Sequence, residues 1–341
     1  MNFDEKNGIK VNEMSEEKTM AQVENVKTAN KGYELSCEFR NYPVTFVNAI
    51  RRICLSSIPT VVIRDVQILE NTSQMPHEML KHRVEMLPVN VKPDDASAVR
   101  DAKIELRVLT DKRDKILEVT TDDFVIESNR GNILMKDRDF DTPIIFLRLR
   151  SEEGVHIKAR LAVESEHVSQ VCVSTTQWHV DPELAQQDRK KYVEAGGNPA
   201  VFDNFEIQKS FSRDEKGRPN WIDLKLESVG VLTGKEILRY SVGILRNKIQ
   251  AYMKEALELI TREKEDGSYT ISVEQGGHTV GALIQEVIYN DLNVDFVSYD
   301  IPHPLRNTMV LRFHTKKTPE SILKAANEMI EEYCRGVEKA V

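Results

Sequence analysis

The sequence predicts an α+β chain in which strands and long helices recur in similar order in two halves, around a stretch of short β segments. Three observations carry this. Apolar residues alternate at Tyr33, Leu35, Cys37 and Phe39, the period of a half-buried strand, and lead straight into an apolar helix bounded by Pro43 and Pro59. A second stripe (Leu238, Val242, Leu245, Ile249, Tyr252, Ala256, Leu259) steps by fours and threes along a helix over residues 233–261. Strands and amphipathic helices then alternate through 269–341, with no sequence repeat of the first half.

Residues 1–28 are rich in Glu, Lys and Asn with few large apolar residues after Phe3, and read as a flexible, disordered or weakly helical tail. The helix after Pro43 has Val47, Ile50 and Cys54 on one face, widened by Phe46 and Ile53, and carries the pair Arg51 and Arg52. Proline is tolerated in a first helical turn and cannot continue a helix, so Pro43 and Pro59 fit the two ends. Residues 61–69 read as a strand. Over residues 70–204 short strand-like pieces (104–108, 144–149, 155–159) alternate with polar turns, and 188–197 reads as a helix end or loop before the breakers Gly196, Gly197, Asn198 and Pro199. Ile222, Leu224 and Leu226 then face one side of a strand. The charged run 262–268 is the junction, and 269–273 opens the second half. Val280, Leu283, Ile284, Val287 and Ile288 make an amphipathic helix; 294–301 and 308–313 read as antiparallel strands joined through Pro302, His303 and Pro304. Thr318 is placed to cap a last helix with Pro319 at its first position, and Ile322, Ala326, Met329, Tyr333 and Val337 line its buried side.

Composition excludes several classes. The 341 residues carry a formal net charge of −8 and no concentrated Lys/Arg block, against direct duplex binding as the main role. No apolar run approaches the roughly 20 residues of a membrane span, and no secretory signal opens the chain. The four cysteines, Cys37, Cys54, Cys172 and Cys334, are scattered and form no Cys-x-x-Cys pair, so they read as reduced buried thiols of an intracellular protein.

The segments Asn48-Ala-Ile-Arg-Arg-Ile-Cys-Leu-Ser-Ser-Ile-Pro-Thr60, Val61-Val-Ile63, Glu70-Asn-Thr-Ser73 and His77-Glu-Met-Leu-Lys-His-Arg-Val-Glu-Met-Leu-Pro88 resemble, in order and spacing, the assembly-platform component of multisubunit RNA polymerases. That family includes bacterial alpha, the third-largest eukaryotic subunit and its archaeal counterpart. Gly277-His-Thr-Val-Gly-Ala-Leu-Ile284, Val297-Ser-Tyr-Asp-Ile-Pro-His-Pro304 and Met309-Val-Leu-Arg-Phe313 resemble the eleventh eukaryotic subunit and its small archaeal counterpart, which in most polymerases are separate chains. The resemblance implies two related RNA-polymerase pairing modules in one chain: residues 29–69 and 205–261 as the first, 70–204 as an insertion domain, 269–341 as the second. Such fusions are similar to those of large cytoplasmic DNA viruses. A viral origin is therefore expected, with the virion and host cytoplasm, or a nucleus, as the place of work.

The resemblance also implies a non-catalytic role, recruiting the second-largest and then the largest polymerase subunit, with small subunits nearby and DNA and RNA reached only through the complex. Asn48, Arg51, Arg52, Glu70, Asn71, His82 and Arg83 are the expected partner contacts. Arginine suits this because its planar fork binds carboxylates and carbonyls in pairs. Leu238, Val242, Leu245, Ile249, Tyr252, Met329 and Tyr333 are the expected intramolecular pairing seam, giving a monomer with an internal pseudo-dimer. Some relatives hold zinc or an iron–sulfur cluster through insertion-domain cysteines; Cys172 is the only cysteine there, so no cofactor is expected. Nor does any histidine read as a metal ligand: His77 and His82 are one residue too far apart for His-Glu-x-x-His, and His156, His167 and His179 form no motif. The turn at Gly276 lacks the lysine and hydroxyl of a phosphate-binding loop, and no catalytic triad pattern is present. The rival reading is a free scaffold or regulatory protein that kept the fold and left the polymerase.

Overall fold

Each central strand of two separate sheets runs directly into a helix, and this repeated step organises the chain. The computed structural model describes residues 20–99, 101–111, 116–128, 130–131, 133–165, 171–263, 267–274, 276–292, 294–303, 305–306 and 308–341. In chain order the elements are β1 (Gln22–Ala29), β2 (Glu34–Arg40), α1 (Val44–Ser56), β3 (Thr60–Asn71), α2 (His77–Glu85), β4 (Lys103–Leu109), β5 (Leu117–Thr120), β6 (Val125–Glu127), β7 (Ile145–Leu149), β8 (Gly154–Glu164) and β9 (Cys172–Trp178). There follow α3 (Pro182–Glu194), the single turn α4 (Pro199–Val201), β10 (Trp221–Ser228), α5 (Gly234–Glu258), β11 (Ile260–Arg262), β12 (Ser268–Val273), α6 (His278–Asp291), β13 (Phe296–Asp300), β14 (Met309–His314) and α7 (Pro319–Ala340).

The first module is the antiparallel sheet β1-β2-β10-β9 with α1 and α5 packed on it. The second is the antiparallel sheet β11-β12-β14-β13 with α6 and α7. Between them in sequence stand the sheet β3-β8-β4-β6 and the β5-β7 pair, which enclose a core of their own around Ile63, Leu80, Leu106, Phe146 and Ile157. This insertion is fastened to the first module by Lys92 on Glu236 (2.6 Å), Tyr240 on Asp94 (2.5 Å) and Arg138 on the Ser228 carbonyl (2.6 Å).

The structure departs from the sequence reading in several places. Residues 22–28, expected in the tail, form most of β1. A bulge at Asn25 (φ 51°) lets Val23 and Val26, three apart, both pack on the core, so the period-two pattern is broken in the sequence. The strand expected over 61–69 in the first module pairs instead with β8, in the insertion sheet, while β9, expected in the insertion, is the edge of the first module's sheet. The reading of 188–197 as a helix end is extended backwards: α3 begins at Pro182, capped by the Asp181 carboxylate. The helix expected to reach Thr261 stops at Glu258; Leu259 is 43% exposed, and Ile260 to Arg262 pair with β12, so the junction begins in a strand, and its residues 264–266 lie outside the described residues. Gln275, Pro304 and His167 lie outside the described residues.

Helix ends follow their local chemistry. Thr233 and Glu236 form a reciprocal capping box at the start of α5, with Thr233 N–H on Glu236 at 2.8 Å and Glu236 N–H on Thr233 Oγ1 at 3.3 Å. Thr318 stands at the N-cap of α7 with Pro319 next, yet its hydroxyl makes no cap bond. Gly276 packs so closely on β14 that a Cβ would lie 2.3 Å from Met309 Cβ, which makes glycine at this position a packing requirement.

Thr233→Ala is expected to lower stability by about 1 kcal/mol through loss of this box, read as a lower urea midpoint at unchanged slope. All four cysteines are free and buried, and burial pushes the Cys37 and Cys334 thiols up to about 12. These two thiols are expected to resist an aromatic disulfide reagent at pH 8 in the folded chain and to react at once in guanidinium; reaction at free-thiol rates without denaturant would contradict their placement.

Candidate functional site

In the first module β2 leads into α1 and β10 into α5; in the second β12 leads into α6 and β14 into α7. The helices meet like on like. α1 packs on α6, and α5 on α7, the arrangement of an isologous twofold contact, here within one chain. One continuous buried core runs through both modules, from Leu35 and Phe39 through Leu238, Val242 and Leu245 to Leu283, Ile322 and Val337.

The expected seam is in this core: Leu238, Val242, Leu245, Ile249 and Tyr252 are at most 2% exposed. Met329 and Tyr333 are half-buried against it. Tyr333 of α7 reaches Tyr42 and Phe46 of the first module, with ring centroids 5.5 and 5.6 Å apart. Gly336, one turn on, allows this approach, since a Cβ there would stand 2.5 Å from Tyr42 Oη.

Polar bonds frame the seam. Arg246 of α5 grips Glu338 of α7 with two bonds (2.7 and 2.8 Å) and Glu331 with a third (2.8 Å). The hydrogen bonds from Arg246 hold the Glu338 carboxyl below the usual carboxylate range. Glu286 of α6 accepts from the Thr45 N–H (2.9 Å) in the first turn of α1, where the free amides and helix dipole favour a carboxylate. Sequence reasoning missed Arg246, Glu286, Glu331 and Glu338. The available signal was the seven-residue spacing of Glu331 and Glu338 beside the apolar stripe of α7.

The seven expected partner contacts divide. Arg51 bonds Asn48 Oδ1 through Nε and Nη2 (3.1 and 2.9 Å), one turn away on α1. Arg52 donates to Thr279 Oγ1 (2.9 Å) on α6, so this residue ties the two modules together. Asn71 is absorbed in its own turn, accepting from Ser73 N–H and Oγ and donating to the Met75 carbonyl. Glu70 is exposed on β3. His82 and Arg83 are exposed on α2, and Arg83 has no ion-pair or hydrogen-bond partner among the described residues. Met79, His82, Arg83 and Met86 stand three, four and seven residues apart, all exposed, while Leu80 and Val84 face inward. The chain thus presents a cationic, methionine-flanked stripe on α2, with the two α1 arginines engaged internally.

Residues 36–249 match a family model described as the RNA polymerase Rpb3/Rpb11 dimerisation domain, and residues 268–340 match a second model of the same description. The chain belongs to this family. It is 27% identical over 218 residues to DNA-directed RNA polymerase subunit Rpo3 of Methanocaldococcus jannaschii, covering 64% of this chain and 87% of the relative. It is 25% identical over 243 residues to DNA-directed RNA polymerase II subunit RPB3 of Schizosaccharomyces pombe, covering 63% and 81%. A Tetrahymena thermophila relative named conjugation stage-specific protein is 25% identical over 291 residues, covering 66% and 92%. Two Rpb3/Rpb11 dimerisation domains therefore lie in one α+β chain, and they are the two modules that share the core.

The cysteine-held metal of some family members does not fit this chain. Cys172 lies on β9, outside the insertion's sheets, and its thiol donates to the Cys54 carbonyl (3.4 Å).

Leu245→Ala is expected to cost about 2–5 kcal/mol, and because the core is continuous both modules should lose structure in one transition. Two separated transitions would show that the modules are energetically independent. The Glu338 carboxyl releases its proton more readily folded than unfolded, so its stabilisation is complete above its unfolded value, about 4.3, and is lost as pH falls through its lower folded value. Arg246→Met is therefore expected to flatten the fall in melting temperature below about pH 4, as measured by calorimetry across a pH series.

Proposed function

We propose that this chain is a non-catalytic, assembly-platform component of a DNA-dependent RNA polymerase, recruiting the second-largest and then the largest subunit. The observation that carries the reading is the shared core: the two dimerisation domains meet their partners already paired. Its polymerase-named relatives agree in family, and its acidic balance suits a subunit placed away from the template. In this reading the chain unites two subunits that are separate elsewhere, comes from a large cytoplasmic DNA virus, works inside the cell and holds no cysteine-ligated cofactor of the family type. Small polymerase subunits accompany it, and DNA and RNA are met only through the complex.

The α2 stripe of Met79, His82, Arg83 and Met86 is the proposed contact with the second-largest subunit, with exposed Leu69 and Glu70 on the neighbouring β3. A free guanidinium beside flexible apolar side chains can bind a carboxylate while the methionines fill the adjoining surface.

Affinity purification of the tagged chain from its native source is expected to bring down the two largest polymerase subunits at one copy each. Met79→Asp with Arg83→Glu should weaken that recovery at least about tenfold, the loss expected when contacts worth about 1.4 kcal/mol or more are removed, and leave the fold unchanged by circular dichroism. Recovery of the wild-type chain alone, folded and monomeric, would favour the free scaffold; undiminished recovery of the variant would remove α2 as the contact. Arg52→Glu is a poorer probe, because it also breaks the bond to Thr279.

A further inference from the structure

The outer face of the first module's sheet carries a cluster that the pairing of the modules leaves unused. Strand register sets Glu24, Glu38, Asp223 and Gln177 directly opposite one another across β1, β2, β10 and β9. Like charges facing across adjacent strands destabilise a sheet. Arg40 answers Glu24 (3.1 Å), but no lysine or arginine pairs with Glu38 or Asp223 among the described residues. Their neighbour is His179, just past the end of β9, whose Nδ1 lies 2.7 Å from Asp223 Oδ1. One donor atom each from Glu38, His179 and Asp223 lies within 4.8 Å of the other two.

We propose that Glu38, His179 and Asp223 form a binding site for a first-row divalent cation of the zinc type. The donor set is one imidazole nitrogen and two carboxylate oxygens. An imidazole favours zinc and its neighbours over magnesium or calcium, which prefer oxygen alone. Bonds of about 2.1 Å in tetrahedral geometry set donors about 3.4 Å apart, so an ion takes the place of the proton between His179 Nδ1 and Asp223 Oδ1, which part from 2.7 Å, while the donors now up to 4.8 Å apart draw in. Solvent completes the coordination.

The surroundings hold the donors as outer partners hold metal ligands. Trp221 Nε1 and Asn25 Nδ2 each donate to Glu38 (3.0 Å), on its two oxygens, and Gln177 Nε2 donates to Asp223 Oδ2 (3.2 Å). The His179 ring lies flat on the Trp221 indole (centroids 3.7 Å, planes 16° apart), whose other face is covered by the Arg40 guanidinium at 3.4 Å. The side chains of His179 and Asp223 are only 22% and 18% exposed, which strengthens attraction for a cation. Bound there, a divalent ion turns the facing carboxylates from a repulsive pair into a clasp across β2, β10 and the end of β9. The site does not depend on the polymerase reading.

The full chain, stripped by chelator and dialysed, is titrated with zinc chloride by calorimetry and with cobalt(II) by visible absorption. Expected are one equivalent of zinc, a raised melting temperature and a cobalt d–d band. Glu38→Gln, Asp223→Asn and His179→Ala should each abolish the stoichiometric event, whereas His303→Ala, in a surface turn, should not. Trp221→Phe removes an outer donor and should weaken binding roughly 10–100-fold. Absence of stoichiometric binding by the wild-type chain overturns the proposal without any variant. So does binding that survives Glu38→Gln and Asp223→Asn, which marks an adventitious ion only.

Discussion

The structure depends on one constraint: neither dimerisation domain can bury its own helices without the other. Each sheet covers one side of its two helices, and the remaining apolar side is satisfied only where α1 meets α6 and α5 meets α7. The absence of a separate core for either half follows from this. So does the placing of polar groups, since Arg246, Glu331, Glu338, Glu286 and Thr45 all stand where the two helix pairs close, fixing direction where apolar packing alone would let helices slide. Gly336 belongs to the same constraint, because α7 can reach Tyr42 only through a residue without a side chain.

Much of this was legible in the sequence, for a physical reason. A helix buried along one stripe must repeat its apolar residues with the helical period, so Leu238, Val242, Leu245, Ile249 and Tyr252 announce both α5 and its buried side. Prolines and capping residues mark helix ends locally, and α1 begins one residue after Pro43. Strand partnership has no such local mark. β3 is as apolar at Val61, Val62 and Ile63 as any strand of the first module, and only long-range pairing with β8 assigns it to the insertion. β1 has no legible pattern because its bulge at Asn25 breaks the alternation that marks a strand. The Glu38, His179 and Asp223 cluster was out of reach for the same reason: its members are spread over nearly two hundred residues of chain and meet only through the register of β2, β10 and β9.

The arginine pair on α1 shows how a local motif can also serve contacts within the fold. Two adjacent arginines on an amphipathic helix read naturally as a grip on another molecule. Once the second domain is in the same chain, Thr279 lies within hydrogen-bond distance of Arg52, and Asn48 takes both nearer nitrogens of Arg51. Arg83 differs because α2 packs one side on β3 and turns the other outward, where Arg83 has no ion-pair or hydrogen-bond partner among the described residues. Whether a cation is engaged within the fold depends on an acceptor lying in reach, and that is a property of topology, not of the motif.

Covalent linkage changes what the pairing interface must achieve. Two separate chains have to overcome the loss of translational and rotational freedom on meeting, a cost of several kcal/mol at least. Joined through the β11–β12 hairpin, the modules face each other at an effective concentration of roughly millimolar or higher, so an interface of ordinary strength stays closed at any dilution. The β11–β12 pairing strengthens this further, because the strand that follows α5 is itself part of the second sheet. An interface freed from the need to capture a partner can be framed by a few exposed ion pairs such as Arg246 with Glu338, whose net contribution is small. The demand for affinity then moves to the outward surface, and on this chain the exposed stripe of α2 is where an unpaired cation and large apolar side chains stand together.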